Sequence, residues 1–109
     1  MNDIPELSLL PAFDLRELIL SRRVSPREAA AACLARVHAL DPRIRAFVTI
    51  DEAMAAAMAD EVERRLSHGA SLPLAGVPYA LKDLTETAGL RTTYGSKLRE
   101  HFVPAHDAV

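Results

Sequence analysis

In "GVPYALKDLTETAG", residues 76–89, an apolar run over 77–81 ends on Lys82, which is followed at once by Asp83. Two readings of that lysine stand side by side. A Lys-Asp pair closing a strand is most often a solvated edge, with the side chain reaching to water. Alternatively, Lys82 is buried and acts as a base. A lysine titrates near 10.4, so poising it near neutrality costs roughly 4 kcal/mol of desolvation or cationic neighbours. Asp83 opposes this only if it faces the ammonium, and adjacent side chains on a strand point to opposite faces.

Other reactive side chains have weaker settings. His101 and His106, near Asp107, are five residues apart, a spacing that fits neither one helix face nor one strand face, so a metal site is not expected. His38 and His68 fall near predicted helix ends and read as surface residues. Cys33 lies on an apolar helical stripe and reads as a core thiol. Ser96, in "TTYGSK", sits in a turn and reads as structural rather than nucleophilic. The chain has no phosphate loop, metal motif or nucleotide fingerprint.

The elements that would position Lys82 are mostly helical. Leu15, Leu18 and Ile19 have the spacing of a short amphipathic helix over about 13–22. In "SPREAAAACLARVHALDP", Ser25 is an N-cap, Pro26 the first helical residue and Glu28 the third member of a capping box. Ala30, Cys33, Leu34, Val37 and Leu40 make its stripe, and Pro42 is expected to end it. "RAFVTI", residues 45–50, is β-branched and aromatic and predicts a short strand. Asp51 can cap a third helix running to about residue 67, with Met54, Met58, Val62 and Leu66 on one side. Gly69 stops that helix and opens a loop over 68–76. Residues 77–84 read as a second strand, with Pro78 tolerated at its start. The rest has turn signals at Gly89 and Gly95.

Residues 77–81 are apolar or small on both alternating faces, the pattern of a strand covered on both sides in a larger sheet. The only strand available to pair with them is 45–50, and two strands alone are marginal in water. "PAHDAV" places Asp107 where a helix N-cap would stand, with only two residues after it. These features lead us to expect part of a larger fold.

Composition narrows the function. The chain has 109 residues, half of them hydrophobic, but 19 of these are alanines that fill little core volume. A domain this size buries roughly 65% of its unfolded surface. The net charge of −2, with 26% charged residues of both signs, offers no basic stripe for nucleic acid. One cysteine allows no internal disulfide, and no window is long and apolar enough for a membrane span. The start of the chain, "MNDIPELSLLPAFDL", is acidic where a secretory signal is basic. A cytoplasmic protein without membrane or direct nucleic-acid contact is expected.

"PLAGVPYALKDLTETAGLRTTYGS", residues 73–96, resembles the first conserved block of the amidase signature family, serine amidases with a Ser–cisSer–Lys triad. "LPAFDLRELILSRRVSPREAAAACLARVHALDPRIRAFVTI" resembles the family's N-terminal helices, and "VPAHDAV" resembles the opening of its next helix. The resemblance implies an α/β fold. Its N-terminal helices would cover about 1–70, and the first strands of a mixed sheet, beginning the catalytic core, about 71–109. That sheet would be incomplete in this chain. The resemblance also implies that Lys82 is the catalytic lysine, which takes a proton through a bridging serine from the nucleophile. Asp83, Thr92, Thr93, Gly95 and Ser96 would shape the site. The implied reaction is hydrolysis of a small carboxamide to acid and amine or ammonia, without metal or cofactor.

The family's two serines and its oxyanion amides come from a glycine- and serine-rich stretch that this sequence lacks. The chain alone is therefore expected to be inactive, its partner being a complementing C-terminal chain or a second copy. Two alternatives remain. One is the A subunit of aminoacyl-tRNA amidotransferases, ranked lower because that subunit more often has Asn after the Lys-Asp pair. The other is a non-catalytic helical module that binds a partner.

Overall fold

The computed structural model describes residues 6–109. Residues 1–5, which open the acidic stretch read against a secretory signal, lie outside the described residues. Three helices dominate: α1, Ala12–Leu20; α2, Pro26–Ile44; and α3, Glu52–Ser67. Short 3-10 turns stand at Leu7–Leu9 and Lys97–Arg99.

α1 ends two residues earlier than its periodicity predicts. Ser21 N–H closes on Glu17, Arg22 takes a left-handed φ of 62°, and the N–H groups of Arg23 and Val24 both turn back to the Leu18 carbonyl. α2 begins as its sequence dictates. Ser25 Oγ accepts from the Glu28 N–H at 3.0 Å, and the Glu28 carboxylate accepts from the Ser25 N–H at 2.7 Å. Its end differs from expectation, because the helix passes through Pro42 to Ile44. Proline costs one internal hydrogen bond there, and Asp41 supplies others. Its carbonyl accepts from Arg45 N–H at 2.6 Å, and its Oδ1 accepts from the N–H groups of Ala46 and Phe47 at 2.8 and 3.0 Å.

Those same bonds explain why residues 45–50 form no strand. Three of their amides are held by Asp41, while the Val48 carbonyl and the Thr49 hydroxyl accept from the Arg91 guanidinium at 3.3 and 3.1 Å. Side chains take the groups that a ladder would use. Residues 77–84 form no strand either. Among the described residues the only β pairing is one isolated antiparallel bridge, Thr87 to Leu90. The expected α/β character is therefore corrected for this chain, which is helical with an irregular C-terminal third.

α3 starts at the predicted cap, with Asp51 Oδ1 accepting from Met54 N–H at 2.8 Å. Its inner face is not the predicted stripe throughout: Ala59 is buried while Met58 is half-exposed. Three surface pairs, Arg27–Asp60, Arg22–Glu63 and His38–Glu52, bridge to α3 from α2 and from the turn before it, each contributing about 0–1 kcal/mol.

The core is small: Leu15, Ile19, Val24, Ala29 and Ala75, with Leu7, Leu10, Leu18, Leu66 and Val77 packed against it. The molecule measures only 20 Å along its shortest axis, about two helix diameters, so many apolar side chains find no cover.

Where the chain returns from α3 it passes directly over the start of α2. Gly76, at φ +86°, lies so close that an added Cβ would stand 2.9 Å from Pro26 Cβ and 3.1 Å from a Val62 methyl. Gly69 has a similar φ of +82° but open space around it. Both Gly→Ala changes incur left-handed strain of about 1–2 kcal/mol. Gly76→Ala alone must also displace α2, so urea unfolding should show it to be clearly the more destabilised. Equal losses would mean that the approach to Pro26 does not constrain the fold.

Candidate functional site

Residues 82–109 are irregular but heavily bonded, and Lys82 lies at their entrance. The Lys82 carbonyl accepts from Leu84 N–H at 2.7 Å and Thr85 N–H at 2.9 Å, forming a tight turn. Its side chain is exposed and makes no hydrogen bond or ion pair with a described residue. The solvated alternative thus describes Lys82 in this chain as it stands.

Asp83 turns the other way. Its Oδ1 accepts from Thr93 N–H at 2.7 Å, its Oδ2 from the Thr93 hydroxyl, and its carbonyl from Tyr94 N–H at 2.8 Å. Thr93 Oγ1 also accepts from Gly95 N–H at 3.2 Å. The Asp83 carboxylate is therefore committed to Thr93 and not to the neighbouring ammonium. Its pKa is lowered, chiefly by the Thr93 hydroxyl and then by the Thr93 N–H, with smaller help from Gly95 N–H and the Arg91 charge.

Thr92 and Thr93 are both buried, at 3% and 4% exposure. Thr92 N–H donates to the Phe102 carbonyl and its hydroxyl to the Leu90 carbonyl, both at 3.0 Å. Gly95 carries a left-handed φ of 69° in the following turn. Ser96 Oγ accepts from Leu98 N–H at 3.2 Å and caps the Lys97–Arg99 turn. The structure therefore brings Asp83, Thr93, Gly95 and Ser96 into one hydrogen-bonded knot directly after Lys82.

Three anchors of this region were not anticipated. Arg91 joins residues 48 and 49 to the Glu100 carbonyl. Asp107 does not cap a helix; its carboxylate accepts from Ala88 N–H at 2.8 Å. Glu86 accepts from the Tyr94 hydroxyl at 2.6 Å, while its carbonyl accepts from Ala108 N–H. No periodic pattern marks such long-range bonds. The one available sign is that Arg91 and Glu86 stand within an otherwise small, threonine-rich segment.

The remaining candidates have local partners. His101 faces Glu100 at 3.3 Å, and its side chain is almost wholly exposed. His38 Nε2 pairs with Glu52 at 2.6 Å. His68 Nδ1 donates to the Arg64 carbonyl at 2.7 Å. Among the described residues no group of three His, Cys, Asp or Glu is placed to hold a metal ion. Cys33 is half-buried, and burial followed by the Glu6 charge raises its pKa. An open cleft of about 570 Å³, lined by His38, Asp41, Pro42, Arg45, Phe47 and Ile50, does not include Lys82. Among the described residues, no helix is long and apolar enough to cross a membrane.

Against known proteins, the Amidase family model matches residues 28–109. The chain belongs to that family. Among curated amidase relatives, the A subunit of the glutamyl-tRNA(Gln) amidotransferase of Geobacter sulfurreducens is 46% identical over 104 residues. Its counterpart in Carboxydothermus hydrogenoformans is 41% identical over the same length. Each match takes in 94% of this chain and 21% of the relative. A solved amidase-fold chain, from work on a vestigial protein complex and the origins of an s-triazine catabolic enzyme, superposes with a TM-score of 0.83 at 36% identity. That superposition covers 91% of this chain and 22% of the other. The chain thus spans about a fifth of the length of these relatives and corresponds to part of an amidase domain.

The knot yields a pH signature. Because the Asp83 pKa is lowered from 3.8, its stabilisation is fully present above that value and is lost as pH falls through the lower folded-state value. Thr93→Val should cost roughly 1–2 kcal/mol near pH 7. In urea titrations, the gap between variant and parent should narrow below pH 4. A gap independent of pH would show that the carboxylate is not what Thr93 holds.

Proposed function

We propose that this chain supplies the general base of an amidase, with Lys82 as that base and residues 71–109 as the beginning of the catalytic core. The observation that carries the reading is the placement of Lys82. It follows the apolar run over 77–81 and directly precedes the hydrogen-bonded knot, and the adjacent carboxylate is turned away into Thr93. An unpaired amine held beside a fixed turn can receive a proton from a serine hydroxyl brought to it.

The nucleophilic and bridging serines, with the oxyanion donors, would come from further polypeptide of the kind that the longer relatives possess. The amine would then draw a proton through the bridging serine as the nucleophile attacks the carboxamide carbonyl. Collapse of the tetrahedral adduct would expel amine or ammonia and leave an acyl-enzyme for water to cleave. Asp83, Thr93, Gly95 and Ser96 would keep the backbone at Lys82 in place. Ser96, already engaged as a turn cap, is not the nucleophile in this reading.

A second reading is favoured by the names of the curated relatives, which are amidotransferase A subunits. On it the amide is glutamine, and the ammonia released is passed on to a charged tRNA on a partner subunit. The residue following "LKD" weighs against this reading, but identities of 41–46% to those relatives weigh more.

The test uses a full-length chimera in which this chain replaces the matching fifth of the Geobacter sulfurreducens relative. Glutamine and simple primary carboxamides are then assayed with and without that relative's partner subunits. Lys82→Ala should lower kcat by at least about 10³-fold, the scale of removing a member of a catalytic triad. Ser96→Ala should change it by no more than about threefold, and the free 109-residue chain should show no hydrolysis above background. Full activity in Lys82→Ala overturns the assignment. Activity that appears only with the partner subunits selects the glutamine reading.

A further inference from the structure

We infer that Thr93 is a positioning residue that holds the Asp83 carboxylate away from Lys82, so that the amine has no anionic partner to keep it protonated. The inference deepens the reading above and rests on its premise that Lys82 is the base.

Three observations carry it. The first is how fully the carboxylate is engaged. Thr93 N–H donates to Oδ1 and the Thr93 hydroxyl to Oδ2, so one buried residue occupies both oxygens. The second is that the hydroxyl proton is committed. Gly95 N–H donates into Thr93 Oγ1 at 3.2 Å, which leaves the single hydroxyl proton to go to Asp83. The third is the treatment of acids over the whole segment. Residues 82–109 carry four carboxylate side chains, and among the described residues none of them pairs with a lysine or an arginine. Glu86 accepts from the Tyr94 hydroxyl at 2.6 Å, Asp107 accepts from Ala88 N–H at 2.8 Å, and Glu100 faces His101 at 3.3 Å. Uncharged donors thus take three of the four, Asp83 included.

Of these acids, Asp83 is the one that bears on Lys82. The two residues open one tight turn, and the flexible four-carbon stem of a lysine reaches a carboxylate on the next residue once that carboxylate is released. A carboxylate beside an ammonium favours the charged form, which cannot take a serine proton. The nearby cations do not replace Thr93. Arg91, whose charge helps to lower the Asp83 pKa, is bonded to oxygens of Val48, Thr49 and Glu100. Arg99 lies over the rings of Tyr94 and Phe102, 4.9 and 5.3 Å from their centres. Neither guanidinium hydrogen-bonds to the Asp83 carboxylate, so losing Thr93 leaves both of its oxygens free to turn to the amine.

The experiment uses the full-length chimera and records kcat/KM against pH on the amide that the parent hydrolyses. Thr93→Val should move the acid limb up by about one pH unit, a roughly tenfold loss on that limb that vanishes on its alkaline side. Thr93→Ser, which keeps the hydroxyl, should retain the parent profile. Asp83→Asn added to Thr93→Val should bring the limb back. A Thr93 that serves only the fold would instead lower activity by one factor at every pH, and the second substitution would restore nothing. Because Thr93→Val also weakens the knot, a second measurement leaves Thr93 in place. The pH at which the Asp83 carboxyl takes up its proton is read by carbon-13 NMR in this chain and in its Lys82→Ala form. The two values should agree within about 0.3 pH unit, because the carboxylate lies with Thr93 and not with the ammonium.

A clearly higher value in Lys82→Ala would mean that the ammonium already pairs with Asp83, and overturns the inference. An acid limb unmoved in Thr93→Val, beside an inactive Lys82→Ala chimera, overturns it as well and leaves Lys82 as the base. Full activity in the Lys82→Ala chimera removes both the base and the role given to Thr93.

Discussion

The C-terminal third of this protein depends on one close approach, that of the Gly76 backbone to Pro26. Residues 77–109 have no helix of their own beyond a 3-10 turn, and their attachment to the helical part begins where the chain crosses the first turn of α2. Pro26 is suited to that crossing twice over: it fills the first helical position without wasting a donor, and its ring gives Gly76 a flat surface to lie on. Ala75 is buried just before this point and Val77 packs on the core just after it. A second attachment, the Arg91 guanidinium, ties residues 48 and 49 to the same region from the opposite end of α2. Between these two points the Asp83–Thr93 knot is suspended, and Lys82 with it.

Much of the helical part was legible in the sequence, because its determinants are local. Ser25, Pro26 and Glu28 specify the start of α2 within four residues, and Asp51 does the same for α3. Boundaries moved where a side chain outside the local pattern intervened. Asp41 carried α2 past Pro42, and Arg22 in a left-handed conformation cut α1 short. Met58 was misplaced because the residue buried in that turn of α3 is the adjacent Ala59, which periodicity alone does not reveal.

The two predicted strands failed for a different physical reason. β-branched and apolar residues describe what a segment can do when a partner lies alongside, and within these residues none does. Residues 45–47 gave their amides to Asp41 and residues 48 and 49 lent acceptors to Arg91, while the amides of 79–81 find no partner among the described residues. The sequence was informative about the environment these segments are suited to, and the isolated chain does not supply it. At the site, the sequence singled out Lys82, Asp83, Thr92, Thr93, Gly95 and Ser96, and four of the six, Asp83, Thr93, Gly95 and Ser96, prove to be mutually bonded. Glu86 and Arg91 escaped notice, and Asp107 was read as a helix cap, because their partners are 8 to 43 residues away, beyond the reach of any local pattern.

The capture of the Ala46 and Phe47 amides by Asp41 has a consequence for how this protein behaves in a crowded cell. Residues 46–50 are apolar and β-branched, the composition that favours strand pairing between copies. Free in solution, such a segment would recruit copies of itself. A carboxylate occupying two successive amides leaves the incoming copy fewer donors and places a negative charge where its carbonyls would approach. Asp41 thus guards two amides of the segment from outside it, from the last turn of a helix. Protection of this kind can be withdrawn, because an α2 that frayed back by a single turn would release the amides and the aggregation hazard together.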